Sequence, residues 1–319
     1  MRTAFIDTLS KLAAKDPRVT LLVGDLGFGV VDEFAERFPK QFYNVGVAEQ
    51  NMTGIAAGMA LSGRVVFTYS IANFPTLRPL EQIRNDVCYH QANVVVVAVG
   101  GGLSYGALGM SHHATEDLAI MRSLPQMAVV APGDPAETVA ATNALSKGIG
   151  PAYLRLGRAG EPIIHHNKPS WELGKALCVR DGNDMTLIST GAMLSTAMTA
   201  ADQLAETEGL DVRVLSMHTL KPIDEDAILF AAKETGALVT LEEHSILGGL
   251  GGAVAEVLCE SEIGSVQFQR LGLPSSFISE VGSQEYLRKA VGLDVESVKQ
   301  SLQWFLQRSR PRALSARAA

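Results

Sequence analysis

Glu49, the histidine pair His112-His113 and two arginines, Arg2 and Arg158, are the side chains of this sequence whose types could carry chemistry. A carboxylate or an imidazole can hold a proton for a reacting group. A guanidinium binds phosphate through two parallel N–H bonds. Each also has a structural alternative, because a glutamate near a helix N-terminus favours the helix dipole, a lone histidine often only packs, and an arginine can form a surface salt bridge. Residue types alone therefore leave the chemistry open.

The composition narrows the class of protein. The chain has 319 residues, which corresponds to about two domains. Hydrophobic residues make up 47% and charged residues 19%, so a large core is available. The net charge of −7 argues against nucleic acid as the main partner.

The cysteines and the apolar segments point to a reducing compartment. Cys88, Cys178 and Cys259 form no Cys-x-x-Cys pair, so neither a disulfide framework nor a cysteine zinc site is indicated. The N-terminus lacks the apolar region of a signal peptide, and the apolar run around 94–99 is too short to cross a membrane. We therefore expect a cytoplasmic protein that binds neither membrane nor nucleic acid.

The pattern of apolar residues predicts an α/β fold. In the first half, short β-branched runs alternate with amphipathic stretches of helical length. The predicted strands are 20–23, 65–68, 94–99, 127–131 and 153–156, and the predicted helices are 31–37, 49–61, 80–90, 116–123 and 135–147. Strands that are apolar on both faces and alternate with helices indicate a parallel sheet covered by helices on both sides.

A second α/β unit follows an irregular stretch. Residues 160–174 hold two prolines, two histidines and a tryptophan without periodicity, which is typical of a linker. The second unit has predicted strands at 185–189, 212–216 and 237–241 and helices at 194–206, 223–232 and 252–260. We thus expect two three-layer α/β domains with mainly parallel sheets. Their predicted bounds are 1–160 for the first domain, 161–184 for the linker, 185–308 for the smaller second domain and 309–319 for a disordered tail.

One stretch carries a resemblance to a known family. Residues 43–58 read Tyr-Asn-Val-Gly-Val-Ala-Glu-Gln-Asn-Met-Thr-Gly-Ile-Ala-Ala-Gly. This resembles the signature of the pyrimidine-binding domain of transketolases and 1-deoxyxylulose-phosphate synthases. Further similar stretches occur in the family's order at 81–85, 111–122 and 150–158, and at 187–191, 221–222, 241–244 and 248–252 for the transketolase C-terminal domain. Together they cover residues 2 to 290, and their order and spacing are more specific than any single motif.

The resemblance implies a thiamine diphosphate site. Glu49 occupies the place of the glutamate that hydrogen-bonds the pyrimidine ring nitrogen and promotes the ring's imino tautomer. Phe74 matches the aromatic residue that stacks on this ring, with core packing as the alternative. Ile71 stands where the family has another aromatic residue, so the pocket is expected to be partly aliphatic. Asp25 matches an aspartate near the cofactor, although a loop aspartate could instead cap the next helix.

The resemblance also implies a site for a sugar substrate. His112 aligns with the histidine that contacts the donor and the intermediate formed from it, and His113 replaces a glutamine. Arg158 and Arg2 align with arginines that bind the sugar phosphate. His112 and Glu49 are the expected catalytic residues, and no residue of this chain is expected to bind a metal.

A partner subunit is implied by a motif that does not occur. In this superfamily a separate domain holds the diphosphate and magnesium through Gly-Asp-Gly and a later asparagine. The nearest strings here are 133–135, Gly-Asp-Pro, and 181–183, Asp-Gly-Asn. We therefore expect the C-terminal-half subunit of a split transketolase, paired with an N-terminal-half subunit that holds most of the Mg²⁺ ligands, in an α2β2 heterotetramer.

The sequence departs from the family at two positions of the substrate site. Transketolases carry a histidine where this chain has Gly100, and an aspartate where it has Leu108. A pocket without these polar partners should favour a polyhydroxylated sugar less strongly. We therefore expect an acceptor other than the usual aldose phosphate, such as a less hydroxylated, bulkier or nucleotide-linked sugar.

Other functions remain compatible with the sequence. A decarboxylating enzyme similar to 1-deoxyxylulose-phosphate synthase is the nearest alternative to ketol transfer, followed by a 2-oxo-acid dehydrogenase beta subunit and by a non-catalytic scaffold. The glycine cluster 248–252 does not fit a dinucleotide motif and is expected to serve packing. Residues 242–244, Glu-Glu-His, lack the spacing of a metal site and are expected at an interface.

Overall fold

The computed structural model describes residues 1–309, so the predicted tail at 309–319 lies, apart from Ser309, outside the described residues. The strands are β1 (Val19–Val23), β2 (Phe42–Asn44), β3 (Val65–Ile71), β4 (Val94–Val99), β5 (Ala128–Val130), β6 (Ala152–Leu156), β7 (Leu177–Arg180), β8 (Met185–Ser189), β9 (Val212–Ser216), β10 (Thr219–Lys221), β11 (Ala237–Ser245) and β12 (Gln267–Leu273). The helices are α1 (Arg2–Ala13), α2 (Asp32–Arg37), α3 (Glu49–Leu61), α4 (Asn73–Leu77), α5 (Leu80–Gln82), α6 (Asp117–Ser123), α7 (Pro135–Leu145), α8 (Leu194–Glu208), α9 (Glu225–Thr235), α10 (Leu250–Glu260), α11 (Gln284–Ala290) and α12 (Val295–Ser309).

The first domain is built on a seven-stranded sheet in the order β10-β5-β6-β4-β3-β1-β2. Its strands are parallel except β10, which runs antiparallel to β5. Every residue of β1, β4 and β6 is buried, as their mainly apolar sequences indicated, and the buried residues include Arg155 of β6. Because the strands are parallel, the loops after β1, β3 and β4 open at the same edge of the sheet.

The second domain has a five-stranded sheet in the order β12-β11-β8-β9-β7, in which only β7 runs antiparallel to its neighbour. The two α/β domains with mainly parallel sheets are therefore confirmed. Strand β7 lies within 161–184, the stretch that we expected as a linker, so part of that stretch belongs to the second sheet. Its apolar run, 176–179, is short, and the side chains of the strand are half-buried or exposed, so the pattern did not distinguish this strand from a linker.

Three hydrophobic cores hold the layers together. One lies between the first sheet and α1, α2 and α7, and includes Phe5 and Phe34. A central core is shared by both domains, since Val96 of the first sheet and Leu238 of the second belong to it. The third packs α8 and α12 on the other face of the second sheet. The shared core fixes the second domain against the first.

The predicted helix at 80–90 differs in the structure. After the short α5, residues Ile83–Cys88 form a π-helix. The amide of Tyr89 donates to the carbonyl of Arg84, and the amide of Ala92 donates to the carbonyl of Val87. Each hydrogen bond joins residues five positions apart, as in a π-helix. An amphipathic pattern cannot reveal one extra residue in a turn, so the sequence predicted a regular helix. Within residues 1–309, no helix is long and apolar enough to cross a membrane.

Candidate cofactor and substrate site

Glu49 lies at the edge of the first sheet where parallel strands end. It is the first residue of α3, and its side chain is only 3% exposed. A Cβ atom on Gly24, just after β1, would be 3.8 Å from Glu49 Oε1 and equally far from Ser70 Oγ at the end of β3. Ser70 Oγ is buried and has no hydrogen-bond partner within residues 1–309. This edge is where ligands bind in open α/β sheets.

The Glu49 carboxylate does not cap its own helix. Its oxygens accept hydrogen bonds of 2.8 and 2.9 Å from one guanidinium nitrogen of Arg78. A glutamate placed only to favour the helix dipole would not need this contact with Arg78, so the structural alternative does not account for it. Arg78 immediately follows α4 and is 44% exposed in its side chain.

Phe74 connects Glu49 to the predicted substrate residues. The guanidinium carbon of Arg78 lies 3.8 Å from the centre of the Phe74 ring. Phe74 also meets the ring of His112 edge-on, with ring centres 5.2 Å apart. Ile71, the last residue of β3, is half-buried just before this turn of helix. Phe74 is thus part of the site as well as of the packing.

His112 is positioned by two polar contacts in the segment after β4. Its Nδ1 lies 3.1 Å from the hydroxyl of Ser111, and Asn73 Nδ2 donates to the Ser111 carbonyl at 2.8 Å. The neighbouring His113 is 5% exposed, and its Nε2 has no partner within residues 1–309. Burial lowers the pKa of His113. His113 is therefore expected to be neutral and to point an unpaired nitrogen into the protein.

Tyr105 extends the series to Arg158. The centre of the Tyr105 ring is 6.5 Å from the centre of the His112 ring. The guanidinium carbon of Arg158 is 5.2 Å from the centre of the Tyr105 ring. Gly100 has φ +83°, and a Cβ there would lie 2.1 Å from a carbon of the Tyr105 ring. Gly100 thus makes room for Tyr105, so the ring fills the space beside a position where the family carries histidine. In the sequence, the glycine at position 100 was the one sign that a bulky side chain such as Tyr105 packs at this place.

Asp25 and Arg2 lie outside this series of contacts. Asp25 is exposed, has φ 56°, and accepts a hydrogen bond from Asn44 Nδ2 at 2.9 Å. It does not cap α2, whose N-cap residue is Val31. Arg2 is half-buried. Burial raises the pKa of Tyr69, and the positive charge of Arg2 lowers it in part. The contacts above therefore join Glu49, Phe74, His112 and Arg158, and within residues 1–309 no hydrogen bond or ring contact links Asp25 or Arg2 to this series.

The buried ion pair of Arg155 and Asp117 holds the segment that carries His112 and His113. Asp117 Oδ2 accepts hydrogen bonds of 2.8 Å from both Tyr153 and Arg155. Arg155 also donates to the carbonyls of Ala114 at 2.9 Å and Glu243 at 3.0 Å. Ala114 directly follows His113, and Glu243 belongs to β11, so this arginine ties the site segment to the second domain.

The residues of 242–244 also hold the two domains together. Glu243 accepts the amide of Leu103 at 2.6 Å, and His244 Nε2 accepts that of Ala119 at 3.3 Å. Glu242 is fully buried and accepts the amides of Leu250 and Gly251, both at 2.7 Å, at the start of α10. Burial raises the pKa of Glu242. The glycine turn therefore binds a carboxylate of the chain itself.

A group of potential metal ligands lies elsewhere. Oxygen and nitrogen atoms of Asp134, Glu137 and His165 lie within 4.8 Å of one another. Asp134 already accepts three backbone amides, at 2.8 to 2.9 Å, and Glu137 is 2.9 Å from His165 Nε2. The hydrogen bond to Glu137 raises the pKa of His165. The group is satisfied within the protein and joins α7 to the stretch after β6.

Two family models match this chain. The transketolase pyrimidine-binding domain matches residues 1–160, and the transketolase C-terminal domain matches residues 174–298. Together they cover most of the chain, and they follow the two sheets except at β10, which lies in the second match and pairs in the first sheet. The start of the second match at 174 agrees with the assignment of β7 to the second domain. The fold and the site therefore define a two-domain α/β protein with a pyrimidine-binding domain.

Relatives of similar length share this organisation. The chain is 40% identical to one of the subunits of an apulose-4-phosphate transketolase of Phocaeicola vulgatus, covering 93% of this chain and 94% of the relative. It is 38% identical to a 6-deoxy-6-sulfo-D-fructose transketolase subunit of a Clostridium species, covering 93% and 92%. A solved split gene transketolase, described as an inactive beta4 tetramer, is 38% identical over 96% of this chain and 98% of its own, with a TM-score of 0.88. The chain belongs to the transketolase family.

Proposed function

We propose that this chain is the C-terminal-half subunit of a thiamine diphosphate-dependent transketolase that transfers a two-carbon ketol unit between sugar substrates. The main support is that Glu49, Phe74, His112 and Arg158 follow one another at one edge of the sheet. Arg78 links the first two, and Tyr105 links the last two. A carboxylate, a stacking ring, an imidazole and a guanidinium follow one another in the order in which a pyrimidine ring, a donor and a phosphate would be bound. An enzyme function is therefore favoured over a scaffold.

The residues of this edge fit the pyrimidine ring. Glu49 is a buried carboxylate that can share a proton with a ring nitrogen, and Phe74 offers a face for stacking. The hydroxyl of Ser70, which is unpaired within residues 1–309, and Glu49 Oε1 each lie 3.8 Å from where a Cβ on Gly24 would be, and this hydroxyl can accept or donate a further hydrogen bond. When bound, thiamine diphosphate supplies an electron sink for the two-carbon fragment. His112 can orient the donor and Arg158 can bind its phosphate.

The diphosphate and Mg²⁺ are assigned to a partner, because the two strings closest to the family motif have structural roles. Asp134 of Gly-Asp-Pro is fully buried and binds backbone amides. Asp181 of Asp-Gly-Asn is 83% exposed in its side chain and pairs with Arg213 at 3.0 Å. An N-terminal-half subunit would supply this part of the site, and an α2β2 assembly would complete two sites. The relatives of equal length that are described as subunits support this proposal.

The first test is cofactor binding. Titration calorimetry with thiamine diphosphate and Mg²⁺ is expected to show strong binding only when the chain is combined with its N-terminal-half subunit. Phe74→Ala is expected to weaken binding about tenfold or more, since a stacking contact to a buried ring is lost. Phe38→Ala is the matched control, because Phe38 also stacks with an arginine, at 5.2 Å, but beside α2 and away from the site.

The same complex distinguishes the competing functions. A ketose phosphate donor is expected to be turned over, whereas decarboxylation of pyruvate would favour the deoxyxylulose-phosphate-synthase-like or 2-oxo-acid dehydrogenase alternative. A complex that assembles and never binds the cofactor would refute the catalytic proposal and favour a scaffold.

We further propose an acceptor other than the usual aldose phosphate. Tyr105 fills the space next to Gly100, and Leu108 and Met110 expose about half of their apolar side chains, 54% and 50%, beside His112. Loss of hydrogen-bonding partners is expected to reduce turnover of xylulose 5-phosphate with ribose 5-phosphate by about 10² or more relative to a better acceptor. A panel of aldoses that differ in hydroxylation and size, assayed with one donor, measures this preference. Efficient turnover of the ordinary pair would contradict it.

A further inference from the structure

Arg78 occupies both contacts that the proposed function gives to the pyrimidine ring. One of its guanidinium nitrogens bonds both oxygens of Glu49, at 2.8 and 2.9 Å. Its guanidinium carbon is 3.8 Å from the centre of the Phe74 ring. A flat group that hydrogen-bonds this carboxylate and stacks on this ring makes the same pair of contacts as an aminopyrimidine would.

We propose that Arg78 takes the place of the pyrimidine ring in the cofactor-free chain and leaves Glu49 and Phe74 when the ring binds. This inference rests on the proposed function, since it requires a pyrimidine site at Glu49. Arg78 and the ring are then competitors for the same carboxylate and the same aromatic surface. Arg78 is a positioning residue, which acts through Glu49 and Phe74.

The difference in burial between the two partners explains why the arginine is the one that moves. The Glu49 side chain is 3% exposed, and a buried carboxylate without a partner is strongly unfavourable. The Arg78 side chain is 44% exposed, so its charge can return to water with little loss. The pair thus keeps Glu49 satisfied until another hydrogen-bonding group replaces the guanidinium.

Competition of this kind reduces the observed affinity for the cofactor. When only a fraction of the molecules have a vacant site, the apparent dissociation constant rises by the inverse of that fraction. Removing the guanidinium should therefore tighten cofactor binding even though it removes a contact of the free protein. A residue that binds the cofactor would give the opposite result.

Arg78→Gln, tested in the full complex with the N-terminal-half subunit, separates these possibilities. The matched control is Arg37→Gln, because Arg37 bonds Glu33 at 3.0 Å and lies 5.2 Å from the Phe38 ring on the exposed surface of α2. Calorimetry with thiamine diphosphate and Mg²⁺ is expected to show affinity about tenfold higher for Arg78→Gln. Thermal unfolding without cofactor is expected to occur about 5 °C lower, since Glu49 loses its partner. Arg37→Gln should change neither quantity.

Each other outcome decides against the proposal in a recognisable way. Weaker cofactor binding by Arg78→Gln would mean that Arg78 stays in the occupied site. Unchanged affinity with a lower melting temperature would assign it a purely structural role. Absence of binding by the unaltered complex would refute the proposed function first, and the inference with it. If Arg78→Gln does not fold, Arg78→Lys, which keeps the charge but lacks the flat fork, should also bind the cofactor more tightly, by a smaller factor.

Discussion

Glu49→Gln is expected to lower kcat of the reconstituted complex by about 10³ while leaving cofactor affinity within about tenfold of the original. Glutamine has nearly the same shape and can still hydrogen-bond the pyrimidine ring. It cannot share a proton with the ring nitrogen, and this proton is what the proposed role of Glu49 requires. Steady-state rates at saturating cofactor, together with calorimetry, measure the two quantities separately.

The control for this experiment is Glu33→Gln. Glu33 is 79% exposed in its side chain and also pairs with an arginine, Arg37, at 3.0 Å. The same loss of charge there should leave kcat unchanged. If Glu49→Gln keeps more than half of the original rate, Glu49 is not a proton-sharing residue, and its buried position would serve only to anchor Arg78.

Asp117→Asn is expected to destabilise the protein by about 3–5 kcal/mol, because it leaves Arg155 charged and without a carboxylate partner. The two side chains are only 2% and 6% exposed, so water cannot compensate. The hydroxyl of Tyr153 loses its charged acceptor at the same time. A loss of this size corresponds to a melting temperature about 10 °C lower, measurable by calorimetric or dichroism-based thermal unfolding.

An exposed aspartate provides the comparison. Asp202 is 59% exposed in its side chain and lies 3.4 Å from Arg180, so Asp202→Asn should cost less than about 1 kcal/mol. Because Arg155 also holds the carbonyl of Ala114, Asp117→Asn should lower the activity of any protein that remains folded. A destabilisation by Asp117→Asn no larger than that by Asp202→Asn would show that the buried pair is not needed.

The central elements of the fold could be predicted from the sequence because their patterns are local. Strand β4 is a continuous valine-rich run, and its bounds, Val94–Val99, were predicted correctly. Strands β2, β7, β10 and β12 were missed. Each is short or partly exposed at an edge, so its pairing depends on contacts distant in sequence. The π-helix after α5 was missed for a related reason, since its backbone depends on packing more than on residue type.

The candidate site could be predicted only in part. Glu49, Phe74, His112 and Arg158 lie in recognisable stretches, and the structure brings them into one series. Their roles stay predictions. Arg78 and Tyr105 have no motif of their own. The spacing of four residues between Phe74 and Arg78, which places two side chains on one face of a helix, was the available signal. Their contacts become visible only when α4 and the segment after β4 are folded together.

Strand β10 has a consequence for the unit in which this protein folds. It belongs to the second half of the chain, yet it forms the outer strand of the first sheet through its pairing with Val129 and Val130 of β5. A fragment that stops at residue 160 would leave the backbone groups of β5 open to pairing with other molecules, which favours aggregation. The boundary between the two family domains therefore does not separate two cooperative folding units. The halves are expected to fold and unfold together, and neither can be studied as an independent module by cutting the chain between them.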